Sequence, residues 1–389
     1  MIARSLIFFL LMILLPDLYL YRRYVGRRRP LWVKIVWWLA TVVMLTYTMM
    51  LYMERDFTPT PQTSLNFYLI LLGVFTIPKV LLTLTTWIGD RLCRRNSPRR
   101  KWGTGVGIML GMMCVYATIY GFTLGFSKFE VNCVDYYSKQ LPASFDGYRI
   151  AVFSDIHVAS YSGDDQQTLK AAIDSINAMN ADLIVFLGDI QNKLPDELTE
   201  HAGILSSLKA RDGVLSVMGN HDYALYTELD SLQEMKNILK TEDMQRSFGW
   251  KLLLNENVTI HRGADSIFVA GMEGNDETRQ TFGVASAEKS MEGIPQGSFT
   301  VMLVHNPQEW RKRVLPLTEA QLTLSGHTHG GQVGIPGFRP TMLTYSEDSG
   351  MYEEGGRHLL VSKGLGGLIP MRFGVTGEVV LMTLHRENQ

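Results

Sequence analysis

Leu322-Thr323-Leu324, followed after Ser325 by Gly326-His327-Thr328-His329-Gly330-Gly331-Gln332, sets two histidines two apart in a glycine-rich loop. The apolar run reads as a short buried strand. On an extended or turning backbone, positions i and i+2 aim two imidazoles at neighbouring points. The flanking glycines let the backbone approach an ion or a phosphate with no Cβ in the way. Taken alone, the stretch also fits a polar loop carrying two unrelated histidines. The neighbouring strand ends decide between the two readings.

Working outward, the same arrangement recurs. Arg149–Phe153 is an apolar strand that ends in Ser154-Asp155-Ile156-His157. A helix follows, with Leu169, Ile173 and Ile176 at helical spacing. Leu183–Leu187 is a second strand and ends in Gly188-Asp189. A helix near Glu197–Leu208 leads to the strand Gly213–Met218, which ends in Gly219-Asn220-His221-Asp222. Ile267–Ala270 is a further strand. Phe299–Val304 ends in His305-Asn306-Pro307. His358–Val361 runs into Ser362-Lys363-Gly364-Leu365-Gly366-Gly367, which reads either as the lining of a site entrance or as a tight turn. Glu378–Met382 is a closing strand. Alternating strands and helices predict an α/β domain, and no internal repeat interrupts it.

Sites in open α/β sheets form beyond the carboxyl ends of strands. Here those ends carry Asp155 and His157, Asp189, Asn220 and His221, His305, and His327 and His329. One aspartate after a strand can be a helix cap, and one histidine can be a core residue. Five such strand ends call for a common explanation. Oxygen and imidazole donors without sulfur suit Mn, Fe or Zn better than Ca. Cys133 is the single cysteine beyond residue 127, so no cysteine zinc site exists there. Two ions about 3.5–4 Å apart would need a carboxylate between them.

Asp-x-His, Gly-Asp, Gly-Asn-His-Asp, a strand-terminal His and Gly-His-x-His, in that order, resemble the full motif set of the calcineurin-like metallophosphoesterases. Phe145-Asp146-Gly147-Tyr148-Arg149 leading into Asp155-Ile156-His157, with Gly326–Gln332, is most similar to the bacterial membrane-linked subgroup. The resemblance covers residues 148–389. It implies two facing mixed β-sheets flanked by helices and two divalent ions (Mn, Fe or Zn, with Mn the expected ion in vitro). Carried over by motif, Asp155, His157 and His329 would hold the first ion, and Asn220, His305 and His327 the second. Asp189 would bridge them, and a hydroxide shared by the ions would attack phosphorus. Asn220 would polarise a phosphate oxygen. His221 would contact the phosphate or protonate the leaving oxygen, with Asp222 orienting it.

The first 127 residues have a different character. Four apolar stretches, about 5–21, 31–53, 66–88 and 104–126, predict an all-α transmembrane region, since a bilayer-spanning helix needs about 20 mostly apolar residues. The first contains Pro16-Asp17 and also resembles the core of a signal peptide, although arginines rather than a small-residue cleavage motif follow it. Lys79, beside Pro78 in the third stretch, is read as a snorkelling lysine or as a functional charge. Residues 128–147 are expected to be a linker. Arg22, Arg23, Arg27, Arg28 and Arg29 follow the first stretch. Arg91, Arg94, Arg95, Arg99, Arg100 and Lys101 follow the third, whereas Glu54–Asn66 contains only Arg55. Basic loops stay cytoplasmic, so the domain at residues 148–389 is expected outside the cytoplasmic membrane of a bacterium.

Net charge is −1, which gives no electrostatic case for nucleic acid. The expected activity is hydrolysis of a phosphate mono- or diester, of a small molecule, a lipid or a cell-envelope intermediate. Competing readings are a pyrophosphate hydrolase acting on UDP-sugar lipids and a non-catalytic membrane scaffold or sensor. A transporter is disfavoured, because Asp17 and Lys79 are the only charges set well inside the apolar stretches, Lys34 standing at the start of its own.

Overall fold

The computed structural model describes residues 2–26, 29–53, 62–93, 101–224, 226–227, 229–274 and 284–387. The loop 54–61 and the basic residues Arg27, Arg28, Arg94, Arg95, Arg99 and Arg100 lie outside them. The chain divides into two units, Met1–Thr123 and Leu124–Gln389.

The first unit is helical: α1 Ile2–Leu20, α2 Leu31–Met53, α3 Gln62–Leu71, α4 Ile77–Leu92 and α5 Trp102–Tyr120. A π turn at Leu72–Thr76 joins α3 to α4. The third expected span, 66–88, therefore lies within one longer helix. Pro78 sits in the first turn of α4, directly after that turn, where its missing N–H is tolerated. Among the described residues, Leu31–Met53, Thr63–Leu92 and Trp102–Gly125 are long and apolar enough to cross a membrane. Gly103, Gly107 and Gly111 form one buried face of α5. A Cβ on Gly107 would stand 2.3 Å from Thr85 Oγ1 of α4, so only a residue without a side chain allows this approach.

The second unit contains two six-stranded mixed sheets. The strands are β1 Phe129–Ser138, β2 Tyr148–Phe153, β3 Leu183–Phe186, β4 Val214–Ser216, β5 Lys251–Leu252, β6 Glu256–Arg262, β7 Asp265–Gly271, β8 Thr300–Leu303, β9 Leu322–Ser325, β10 Gly350–Glu354, β11 Arg357–Val361 and β12 Gly377–Arg386. One sheet runs β1-β12-β2-β3-β4-β5 and the other β10-β11-β9-β8-β7-β6. Strand alternation builds the layers. Ile150, Val152, Leu183 and Val185 of the first sheet meet Val269, Val301, Leu303 and Leu324 of the second in one core. Their neighbours Ala151, Phe153, Ile184 and Phe186 point the other way and pack on Leu169, Ile173 and Ile176 of α6, Gln166–Ala178. Met302, Val304 and Leu359 cover the far side of the second sheet against Trp310 and Val314. The result is helix, sheet, sheet, helix.

Three local expectations change. Residues 128–147 are not a linker: β1 pairs in parallel with β12 from Phe129↔Gly377 to Ser138↔Arg386. Its burial alternates weakly because it is an edge strand, and its partner lies far along the chain. The helix expected near Glu197–Leu208 is a 3₁₀ turn, Pro195–Leu198, and the single turn α7, Ala202–Leu205. A 17-residue helix, α8 Ser231–Ser247, was not expected. It is mostly polar and carries little periodic signal. Asp230 caps it by accepting from Leu232 N at 3.0 Å and Gln233 N at 2.9 Å.

Lys79 has a partner inside the first unit. Its Nζ stands 2.7 Å from Asp17 Oδ1, and Asp17 is 1% exposed. Thr41 Oγ1 donates to the other Asp17 oxygen at 2.6 Å. The Lys79 ammonium also stands 4.9 Å from the centre of the Trp37 ring. The two charges that looked anomalous along the sequence thus satisfy each other across helices, and neither snorkelling nor a free functional charge is needed. Breaking a buried pair from one side costs about 3–5 kcal/mol, whereas apolar replacement of both is close to neutral. Asp17→Leu and Lys79→Leu should each lower the thermal midpoint of the detergent-solubilised protein, and the double substitution should recover most of the loss, as read by fluorescence-detected size exclusion after heating.

Candidate metal centre

The site collects at the carboxyl ends of β2, β3, β4, β8 and β9, where both sheets turn into loops. Asp155, His157, Asp189, His327 and His329 all have positive φ, between +50° and +74°. They are five of the nine non-glycine residues in that region among the described residues. Each such residue costs of order 1 kcal/mol and persists only where its surroundings force it. Glycines make room beside them. A Cβ on Gly219 would lie 2.3 Å from Asp189 Oδ1, and one on Gly326 2.6 Å from Asp155 Oδ2.

Two groups of donor atoms converge. Asp155, His157, Asp189 and His329 form one; Asp189, His305 and His327 form the other. Within each, the donor atoms lie within 4.8 Å of one another, and Asp189 belongs to both. Asp189 Oδ2 is 3.7 Å from His157 Nε2 and 3.2 Å from His305 Nε2. His329 Nε2 is 3.5 Å from Asp155 Oδ1. Asn220 Oδ1 lies 3.1 Å from His305 Nε2, and His327 Nδ1 lies 3.2 Å from the same atom. All seven residues proposed from the sequence as ligands are therefore brought together.

Backbone carbonyls orient the rings. His157 Nδ1 donates to Gln191 O at 3.1 Å, and His305 Nδ1 to Leu187 O at 2.7 Å. Each ring then turns Nε2 inward, the usual arrangement behind a metal-binding imidazole. His157 Nε2 is buried with no hydrogen-bond partner. A buried lone pair aimed at carboxylates is costly unless a cation faces it. Among the described residues no lysine or arginine pairs with Asp155 or Asp189. Buried nitrogen and oxygen donors with no lysine or arginine in salt-bridge contact fit divalent ions.

His221 and Asp222 behave differently from each other. His221 N donates to Asp189 Oδ1 at 2.8 Å, and its ring donates from Nδ1 to Asn192 O at 2.7 Å. The ring stacks on Tyr226, centroids 4.4 Å apart. Asp222 was expected to orient His221, and the structure corrects this. Its carboxylate accepts from Asp189 N at 2.8 Å, Ile190 N at 2.9 Å and Gly219 N at 2.9 Å. It shapes the Asp189 loop, and the Asn192 carbonyl orients His221. The glycine stretch Gly364–Gly367 packs against the Asp155 strand end: Gly366 N donates to Asp155 O at 2.9 Å, and Arg372 Nη2 donates to Lys363 O at 2.9 Å and Gly364 O at 3.0 Å.

Tyr226 and Tyr345 escaped the sequence reading. Tyr226 Oη accepts from Asn220 Nδ2 at 2.8 Å, and Tyr345 Oη pairs with His327 Nε2 at 3.0 Å. Both come from irregular loops, where nothing periodic singles out a tyrosine.

Buried carboxylates and imidazoles at the ends of two facing sheets define the class as a metal-dependent hydrolase. Residues 148–331 match the calcineurin-like phosphoesterase family, and residues 3–126 match the probable calcineurin-like phosphoesterase transmembrane domain. A Bacillus subtilis metallophosphoesterase is 31% identical over 263 residues, which cover 64% of this chain and 84% of that protein. A zebrafish (Danio rerio) transmembrane protein with a metallophosphoesterase domain is 25% identical, covering 99% of this chain and 90% of its own. A Chlamydia trachomatis UDP-2,3-diacylglucosamine pyrophosphatase is 25% identical, covering 62% and 84%. The chain belongs to the calcineurin-like metallophosphoesterases: it is a membrane-associated hydrolase, of a family that uses divalent metals.

Electrostatics couple ion uptake to pH. Burial lowers the pKa of His327 to about 3, helped by the His305 charge. Burial would lower His305 as well, but the Asp189 carboxylate overrides it and raises His305 to about 9. In the metal-free protein His305 thus keeps a proton at neutral pH. That proton stabilises the fold most fully below the ordinary histidine value near 6.5, and the contribution is lost as pH rises through about 9. An ion held at His305 would have to displace it. The Mn²⁺ affinity of the metal-free protein should therefore rise by up to about tenfold per pH unit between 7 and 8.5 and level off above 9. Titration calorimetry in buffers of different ionisation enthalpy should count about one proton released through this group near neutrality.

Proposed function

We propose that this protein hydrolyses phosphate mono- or diesters of a lipid or cell-envelope intermediate with two divalent ions, Mn, Fe or Zn. Asp155, His157 and His329 hold one, Asn220, His305 and His327 the other, and Asp189 is common to both. The observation that carries the reading is the sharing of one buried carboxylate by two groups of nitrogen and oxygen donors. The ions supply Lewis acidity that activates water and offsets phosphate charge. The chain's own residues do the rest. Asn220 turns Oδ1 toward His305 and Nδ2 outward to Tyr226, so a phosphate oxygen that displaces the phenol meets an amide donor. His221, its Nδ1 fixed by Asn192, contacts the phosphate or protonates the leaving oxygen from Nε2. Asp222 holds the backbone of the Asp189 loop.

The relative named as a pyrophosphatase of a diacylated nucleotide sugar supports an amphiphilic substrate, and a UDP-sugar lipid is the second reading. Purified full-length protein with Mn²⁺ should cleave bis-p-nitrophenyl phosphate. Asp189→Asn should lose ions and activity together. His221→Ala should keep its ions but lose about 10²–10⁴-fold in rate on poor leaving groups, and less on nitrophenyl esters. Two ions and near-normal turnover in Asp189→Asn would show the shared-carboxylate assignment to be wrong.

The basic residues flanking the apolar helices support a catalytic unit on the extracytoplasmic side of the bacterial cytoplasmic membrane. Alkaline phosphatase fused after Gln389 should then be active. A silent phosphatase fusion together with a fluorescent green fluorescent protein fusion would reverse the orientation.

A further inference from the structure

The segment leading away from His329 displays apolar side chains to solvent on a tied-down backbone. Ile335 is 63% exposed, Phe338 44%, Met342 46% and Leu343 80%. The exposure does not come from a slack loop. Ile335 and Phe338 exchange two backbone hydrogen bonds of 3.0 Å around Pro336-Gly337. Gly337, with φ +81°, takes the left-handed position that a proline-led turn requires. At the base, Gly334 N donates to Phe373 O at 2.8 Å, and Phe373 N donates to Gln332 O at 2.9 Å. On the return, Arg339 grips Asp348 through two bonds of 2.7 and 3.0 Å. That arginine is the one charged residue in 332–345, and it is paired.

Each of these side chains is stabilised when covered by apolar groups. Clustered exposed apolar residues of this kind mark contact surfaces. Both ends of the segment return to the metal centre. His327 and His329 precede it, and Tyr345 closes it by pairing with His327 Nε2. Whatever covers the loop is therefore held beside the cluster. The same chain carries a transmembrane domain, so a bilayer accompanies every copy of the protein.

We infer that the loop 332–344 docks on the lipid surface, inserting Ile335, Phe338, Met342 and Leu343 among acyl chains, and thereby selects phosphoesters whose alcohol is anchored in the bilayer. The inference rests on the reading of the metal centre as a phosphoesterase site. It names the substrate class by its acyl chains and adds no group to the hydrolytic step.

The test uses the full chain in nanodiscs and two esters: soluble bis-p-nitrophenyl phosphate, and a p-nitrophenyl phosphodiester of diacylglycerol embedded in the disc. Replacing Ile335, Phe338, Met342 and Leu343 together by Ser should change kcat/KM on the soluble ester by less than about twofold. It should lower turnover of the embedded ester by about tenfold or more, as apolar burial is lost. Equal losses on both esters, or no loss on either, overturn the inference. Wild-type protein that cleaves the soluble ester but not the embedded one overturns it while leaving the phosphoesterase reading intact. Inactivity on both brings down that reading and this one with it. As a second measurement, Leu343→Cys carries a spin label in a background with Cys93, Cys114 and Cys133 replaced by Ser. The label should be relaxed by oxygen more than by an aqueous nickel chelate. Preferential relaxation by nickel, or dipolar broadening from the label of a second copy, counts against docking on lipid.

Discussion

Asp189 is the constraint on which the rest of the site depends. A carboxylate that is 1% exposed must be compensated, and it stands within reach of His157 and His305 at once. Its own backbone is bent to a φ of +59° and held there by the Asp222 carboxylate. Its second oxygen takes the backbone N–H of His221. Strain, desolvation and geometry therefore meet in one residue. Burial raises the cost of the Asp189 charge, the His305 charge lowers it, and the balance holds its pKa well below the usual carboxylate range. An ion taking the place of the His305 proton would do the same work with a fixed charge.

The two sheets make this arrangement available. Parallel strands β2, β3 and β4 deliver Asp155, Asp189 and Asn220 from one sheet, and β8 and β9 deliver His305, His327 and His329 from the other. The inner faces pack Ile150, Val152 and Val185 against Val301 and Leu324, which fixes the distance between the two sets of loops. A misplacement of about 1 Å in either sheet would separate donors that lie within 4.8 Å of one another. The strength of the core and the precision of the site are thus the same property.

Charge in the helical unit follows the same rule in a different solvent. Asp17 and Lys79 are each costly in an apolar setting and become tolerable as a pair with a threonine hydroxyl on the spare oxygen. The exposed apolar loop is the converse case: hydrophobic side chains held in water by a turn and an ion pair.

What was legible in the sequence is what short-range chemistry determines. Short apolar runs marked most strands. Motifs at strand ends marked Asp155, His157, Asp189, Asn220, His305, His327 and His329, because a ligand following a strand leaves a local signature. Runs of apolar residues marked the helices of the first unit. Tertiary structure decided the rest. The strand β1 pairs with residues 377–386, and no local pattern announces a partner so distant. The polar helix α8 lacks the contrast that periodicity needs. Asp222 stands next to His221 in the chain, yet its carboxylate turns to the Asp189 loop, since four residues of 3₁₀ geometry direct neighbouring side chains apart. Tyr226, Tyr345 and the Asp17–Lys79 pair became visible only once distant segments met, because a hydrogen bond or an ion pair is set by distance in space, and sequence alone carries order along the chain.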